Sequence, residues 1–162
     1  MIGRSVRPPS SDDPRAWEAA EGAGIPESPD GPRVLVVEDD PAIREVLISM
    51  LRLSGYRVRA ASDGAVVLAV ALEYKPQIVV MDLMLPNADG WQLTRAIKAE
   101  ESLGMPPVIV LSARVREDDR LRAFQAGASE FVAKPCRASA LVEVVKKYVP
   151  ITLPQTAFAR GS

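Results

Sequence analysis

The sequence contains no histidine at all. That excludes Ser–His and Cys–His catalysis, imidazole-ligated zinc, and any role as a phosphohistidine carrier. A single cysteine, Cys136, can form no internal disulfide and no thiolate metal cluster. Charge of either sign is not in excess: the formal net charge is -1, so no global basic field draws in nucleic acid or an anionic membrane. Long apolar runs are missing too. The longest, "AVVLAVAL" from Ala65 to Leu72, falls far short of the roughly 20 residues that span a bilayer. The opening "MIGRSVRPPSSDDP" has no apolar core of the signal-peptide kind, and a cytoplasmic location with no membrane partner is expected. What chemistry there is must use carboxylates, lysine and hydroxyls.

Residues 1–32 are rich in Pro, Ser, Gly and acid, a composition that buries too little apolar surface to offset its ordering entropy. They read as a mobile extension. Within it "DPRAWEAAEG" has helix grammar, with Asp13 as N-cap, Pro14 at the first position and Gly22 as stop, and Trp17 on a helix of marginal length.

From Arg33 to Val149 short β-rich runs alternate with helical patterns. The strands are "RVLVVE", "YRVRAA", "QIVVMD", "PVIVLS" and "SEFVAK"; the helices fall at about 41–54, 64–74, 90–101, 116–126 and 138–149. The first helix carries Ile43, Val46, Leu47, Met50 and Leu51, the stripe of a helix laid on a sheet, and the last carries Leu141, Val144, Val145 and Tyr148. The first, third and fourth strands are nearly continuous in Val, Ile and Leu, which marks a parallel sheet covered on both faces. One doubly wound α/β domain over residues 33–149 follows, with residues 150–162 as a short tail.

In such sheets ligands bind beyond the carboxyl ends of the strands. The first strand ends in Glu38-Asp39-Asp40, the third in Asp82, the fourth in Ser112 and the fifth in Lys134; the second ends in Ala61-Ser62, with nothing reactive. If the order is 2-1-3-4-5, strands 1, 3, 4 and 5 are neighbours about 4.8 Å apart. Acids, an acid, a hydroxyl and an amine then converge on one small ligand, as a phosphoryl site requires. Asp40 before Pro41 is the exception, reading as a helix cap rather than a ligand.

The stretch Arg33 to Val149 resembles the receiver domain of two-component response regulators. The resemblance rests on "VLVVEDDPAIRE", "VVMDLMLPNADG", "VIVLSAR" and "GASEFVAKP" in that order. It implies a flavodoxin-like (βα)5 fold. It implies Asp82 as phosphoacceptor, attacking a phosphohistidine on a partner histidine kinase or histidine phosphotransfer protein. It implies an Mg²⁺ site of Asp39, Asp82 and the backbone carbonyl of Met84, with Glu38 acting through water. Lys134 would pair with Asp82 and then with a phosphoryl oxygen, across a cis Lys134–Pro135 bond, and Ser112 would bond another oxygen. Ser112 and Phe131 would form the switch, Phe131 rotating inward and altering the face of the fourth helix, fifth strand and fifth helix toward an unnamed protein target. Three departures stand out. Val144 occupies the place of an arginine that pairs across dimers built on that face, Ser129-Glu130 replaces an acidic pair, and Cys136 replaces an aromatic, where local repacking is expected. A monomer, or a weak dimer dependent on phosphorylation, follows. With only residues 150–162 after the last helix, direct DNA binding is not expected, and the chain reads as a stand-alone receiver or as a piece of a larger regulator or hybrid kinase.

Two rivals fit less well. A phosphohydrolase with an Asp nucleophile would carry a second Asp two residues on, where Met84 stands. A receiver-shaped interaction module that is never phosphorylated would not need the intact acids, hydroxyl and lysine.

Overall fold

A computed structural model describes residues 24–151. The helix expected around Asp13 and Trp17 lies outside the described residues, as does most of the tail. Among the described residues seven strands and five α-helices follow in chain order: β1 (Arg33–Val37), α1 (Pro41–Leu53), β2 (Arg57–Ala61), α2 (Val67–Tyr74), β3 (Ile78–Asp82), β4 (Met84–Leu85), β5 (Ala88–Asp89), α3 (Gly90–Ala99), β6 (Val108–Ser112), α4 (Glu117–Gln125), β7 (Glu130–Ala133) and α5 (Ala138–Tyr148). Single 3-10 turns precede α2 at Gly64–Val66 and follow α3 at Glu101–Leu103. The elements expected between Arg33 and Val149 are all present, most of them a residue or two shorter.

The main sheet has the order β2-β1-β3-β6-β7, parallel throughout. That is the expected 2-1-3-4-5 once the small antiparallel hairpin β4-β5 is set aside. The hairpin escapes sequence reading because its strands are two residues each, too short for a period to register. Every residue of β3 and β6 is buried. The sheet divides the interior into two apolar clusters. One, with Leu35, Val79, Met81, Val110 and Phe131, lies under α2, α3 and α4; the other, with Val36, Val80, Ile109 and Leu111, lies under α1 and α5. Continuous apolar strands follow from this, since side chains pointing to either face meet a core.

Helix α1 begins as its sequence implies. Asp40 has extended geometry (φ -69°, ψ 116°), and its Oδ1 accepts from Ile43 N at 2.9 Å, with Pro41 in the first turn. Its buried stripe differs from expectation. Leu47, Ile48 and Leu51 face the sheet, while Ile43 and Val46 are 40% and 53% exposed. Those two line an apolar hollow of about 560 Å³ with Leu111, Ala113, Pro135 and Cys136. Cys136, which the resemblance sets in the place of an aromatic, is half-buried at the lining of this hollow.

The segment before β1 lies against the α1–β2 edge. Glu27 pairs with Arg52 at 3.0 Å, and its Oε1 accepts from Val58 N at 3.3 Å. Among the described residues β2 has no strand on its outer side, and this carboxylate satisfies one of its outward-facing amides.

Candidate phosphoryl-transfer site

Parallel strands bring their carboxyl ends to one rim, and the site is assembled there. Asp82 is the last residue of β3, the central strand, with Val37 of β1 opposite Met81 and Leu111 of β6 opposite Asp82. Glu38 and Asp39 follow β1 directly. Lys134 comes immediately after β7, and its N–H donates to Ser112 O at 2.8 Å, extending the β6–β7 ladder by one residue.

The side chains converge. Ligand oxygens of Glu38, Asp39 and Asp82 all lie within 4.8 Å of one another, the first and last buried and Asp39 exposed. Lys134 Nζ lies between two of them, 2.9 Å from Asp82 Oδ2 and 2.5 Å from Glu38 Oε2. Each acid spends its other oxygen on backbone. Asp82 Oδ1 accepts from Met84 N at 2.8 Å, and Glu38 Oε1 accepts from Asp40 N at 3.2 Å. Sequence reading pairs Lys134 with Asp82 alone. The second bond, to a Glu38 only 1% exposed, is a feature of the folded chain across a separation of 96 residues.

Electrostatics follow from this crowding. Burial raises the Glu38 carboxyl above its ordinary value; the Lys134 hydrogen bond opposes the rise and the Asp82 charge adds to it. Burial alone would lower the Lys134 ammonium, but its hydrogen bonds to Asp82 and Glu38 outweigh that and hold it above its usual value. Three carboxylates around one ammonium leave excess negative charge at the rim. A hard cation that prefers oxygen donors and keeps several waters relieves that charge, and the donor set fits Mg²⁺.

The remaining candidates are placed as follows. Ser112 is fully buried at the end of β6, where its Oγ accepts from Arg114 N at 3.0 Å, a local backbone bond. Phe131 is already inside, 6% exposed, with the Arg120 guanidinium 5.1 Å from its ring centre. The Lys134–Pro135 peptide is cis, as the resemblance implies. Gly90 starts α3 hard against the site. A β-carbon there would stand 2.6 Å from Leu83 Cα and 3.0 Å from Asp82 O, so only glycine permits this approach.

On the outer face of β7 and α5, Glu130 is held within its own chain. Lys147 Nζ and the Tyr148 hydroxyl each donate to its Oε2, at 3.0 and 2.9 Å. These two bonds draw the Glu130 carboxyl below its ordinary value. Nearby, Leu121 and Phe124 of α4 are exposed.

Cys136, half-buried in the hollow beside Lys134, gives a direct check on this environment. Burial raises its thiol above the ordinary value of 9.0. Below that raised value the folded protein keeps the proton that an exposed thiol begins to release. Alkylation of the folded chain by iodoacetamide is expected to be slower than that of the denatured chain, with a rate midpoint above pH 9.0. The single cysteine makes the readout unambiguous; equal rates in the two states would contradict the burial.

The sequence and the fold match known proteins. The family model for the response regulator receiver domain matches residues 34–146. The chain is 43% identical over 115 residues to the transcriptional regulatory protein PrrA of Mycobacterium tuberculosis, covering 71% of this chain and 48% of PrrA. It is 32% identical over 128 residues to the DNA-binding dual master transcriptional regulator RpaA of Synechocystis, covering 78% and 53%. It therefore spans about half the length of the curated relatives it matches. Among solved structures, the receiver domain of the sensor histidine kinase PA1611 of Pseudomonas aeruginosa superposes with a TM-score of 0.67 at 35% identity, covering 73% of this chain and 97% of that one. That domain was solved with a magnesium ion coordinated in its active site cleft. The chemotaxis protein CheY4 of Vibrio cholerae, 23% identical with a TM-score of 0.70 over 74% and 99% of the chains, shares the fold. No helix among the described residues is long and apolar enough to cross a membrane. With a shared fold, a family match across most of the described chain and the acids and lysine gathered at one rim, the chain belongs to the response regulator receiver domain family.

Proposed function

We propose that this chain is a phosphoacceptor switch that takes a phosphoryl group on Asp82 from a phosphohistidine of a histidine kinase or histidine phosphotransfer protein. The observation that carries the reading is the Lys134 ammonium shared between Asp82 and Glu38 within one three-carboxylate cluster. In the transfer an Asp82 oxygen forms a bond to phosphorus as the phosphorus–nitrogen bond of the donor breaks, and the departing imidazole takes a proton. Asp39, Asp82 and the Met84 carbonyl would hold Mg²⁺, with Glu38 reaching it through water; bound there, the cation neutralises charge on the phosphoryl oxygens. Lys134 turns from Asp82 toward a phosphoryl oxygen, and Ser112 exchanges its bond to Arg114 N for another. The new group adds about 1.5 to 2 negative charges. The α4–β7–α5 face, with Phe131 beneath it, carries that change to a protein target. The relatives named as transcriptional regulators are consistent with an output on gene expression made by other parts of such proteins.

Incubation with acetyl phosphate and Mg²⁺ is expected to add the mass of one phosphoryl group, located by peptide mapping to the segment holding Asp82. Chelation by EDTA is expected to prevent the addition. A chain that gains no mass under either condition, yet is folded, would favour the interaction module that is never phosphorylated.

A further inference from the structure

In an extended strand successive side chains point to opposite faces of the sheet. Glu38 and Asp39 are consecutive, yet a carboxylate oxygen from each lies within 4.8 Å of the other and of Asp82. The chain must leave extended geometry between them. β1 ends at Val37, while Glu38 N still bonds to Ala61 O at 3.1 Å, so the departure comes immediately after that last rung.

One side chain bridges this bend. Arg44 Nη1, from the first turns of α1, donates to Glu38 O at 3.0 Å and to Asp39 O at 3.2 Å. A single nitrogen thereby faces two consecutive carbonyls, which an alternating backbone would direct apart. The same bend is fastened on its other side by Glu38 Oε1 accepting from Asp40 N, and Asp40 caps the helix that bears Arg44. Helix start, guanidinium and acid pair form one closed unit. Through these two bonds Arg44 holds the main chain from which two carboxylates project.

We propose that Arg44 is a positioning residue for the acid pair, fixing the bend that turns Glu38 and Asp39 toward Asp82 and so setting the affinity of the cluster for a divalent cation. The inference rests on the Mg²⁺ reading of the site, and two effects of opposite sign separate it from its rival. If Arg44 acted only as a nearby positive charge, removing it would tighten Mg²⁺ binding. If it positions the acids, removing it weakens binding although the local charge becomes more favourable.

The test compares wild type, Arg44→Met and Arg44→Lys, all with the full chain and well below their unfolding temperatures. Mg²⁺ is titrated by calorimetry, and hydrogen exchange of residues 38–40 is followed without metal. Methionine keeps the aliphatic stem and loses both bonds, so a dissociation constant about tenfold higher is expected, in the range typical for loss of a group that orients metal ligands. Exchange at Asp40 N–H is expected to quicken in parallel. Lysine, whose one nitrogen can also face two carbonyls, is expected to restore most of the affinity. Unchanged or tighter Mg²⁺ binding by Arg44→Met overturns the proposal, as does faster unfolding with exchange at 38–40 and affinity both unaltered. Failure of wild type itself to bind Mg²⁺ would instead strike the functional reading. The exchange measurement would then still decide whether Arg44 fixes the bend.

Discussion

Asp82→Asn is expected to abolish phosphoryl labelling, from full incorporation to background, a fall of at least about 100-fold as for loss of a nucleophile. Asparagine keeps the shape of the side chain, and its carbonyl oxygen can still accept from Met84 N, the bond made at 2.8 Å by Asp82 Oδ1. Lys134 keeps Glu38 as a partner. The change also removes the charge that adds to the rise of the Glu38 carboxyl. Stability is therefore expected to shift by no more than about 1 kcal/mol, so the lost label reports chemistry rather than unfolding. Acetyl phosphate labelling read by intact mass, with thermal unfolding alongside, checks both halves. Persistent labelling at the wild-type level would place the acceptor elsewhere.

Lys134→Ala has a different signature, because this ammonium serves the resting protein as well as the reaction. Its removal leaves Glu38 and Asp82 facing each other at a buried rim with no cation between them. Breaking one side of a buried ion pair costs about 3–5 kcal/mol. The lower end suits a lysine whose side chain remains 16% exposed, and about 3 kcal/mol corresponds to a fall of roughly 10 °C in unfolding temperature. Mg²⁺ is then expected to recover more of the stability lost by the variant than it adds to wild type, since the metal no longer competes with an ammonium for the same acids. Labelling nevertheless drops by at least about 100-fold, because the donor to the phosphoryl oxygen is gone. Calorimetric unfolding with and without Mg²⁺, set beside labelling, separates these effects. A variant as stable as wild type without metal would show that the pair of bonds contributes little.

The strands and the end-of-strand residues were legible because each is written locally, whereas the strand order came with the family resemblance. Val and Ile runs announce strands buried on both faces, and the Asp40-Pro41 pair announces the start of α1, where the cap bond is found. The cluster could be anticipated because parallel strands deliver their ends to one rim. What escaped reading depends on direction rather than position. Ile43 and Val46 share a helical stripe with Leu47 and Leu51, yet the line of contact runs through Leu47, Ile48 and Leu51, because a one-residue shift rotates a helix face by about 100°. Arg44 reads as an ordinary helix-surface arginine. Only the bend after β1 brings two carbonyls within its reach, and a cation five and six residues beyond the members of an acid pair is the faint signal that could have suggested it. The Glu38–Lys134 bond was not read because strand ends place both residues on one rim without fixing which acid the ammonium meets.

Glu130 has a consequence for recognition. With Lys147 and Tyr148 already bonded to it, the Glu130 carboxylate of the β7–α5 surface is engaged from within the chain. Leu121 and Phe124 of the adjoining α4 are exposed beside that closed pair. Complexes formed here should therefore respond weakly to ionic strength, and those salts that strengthen apolar association should favour them, whereas a surface read through opposed charges would let go as the Debye length shrinks.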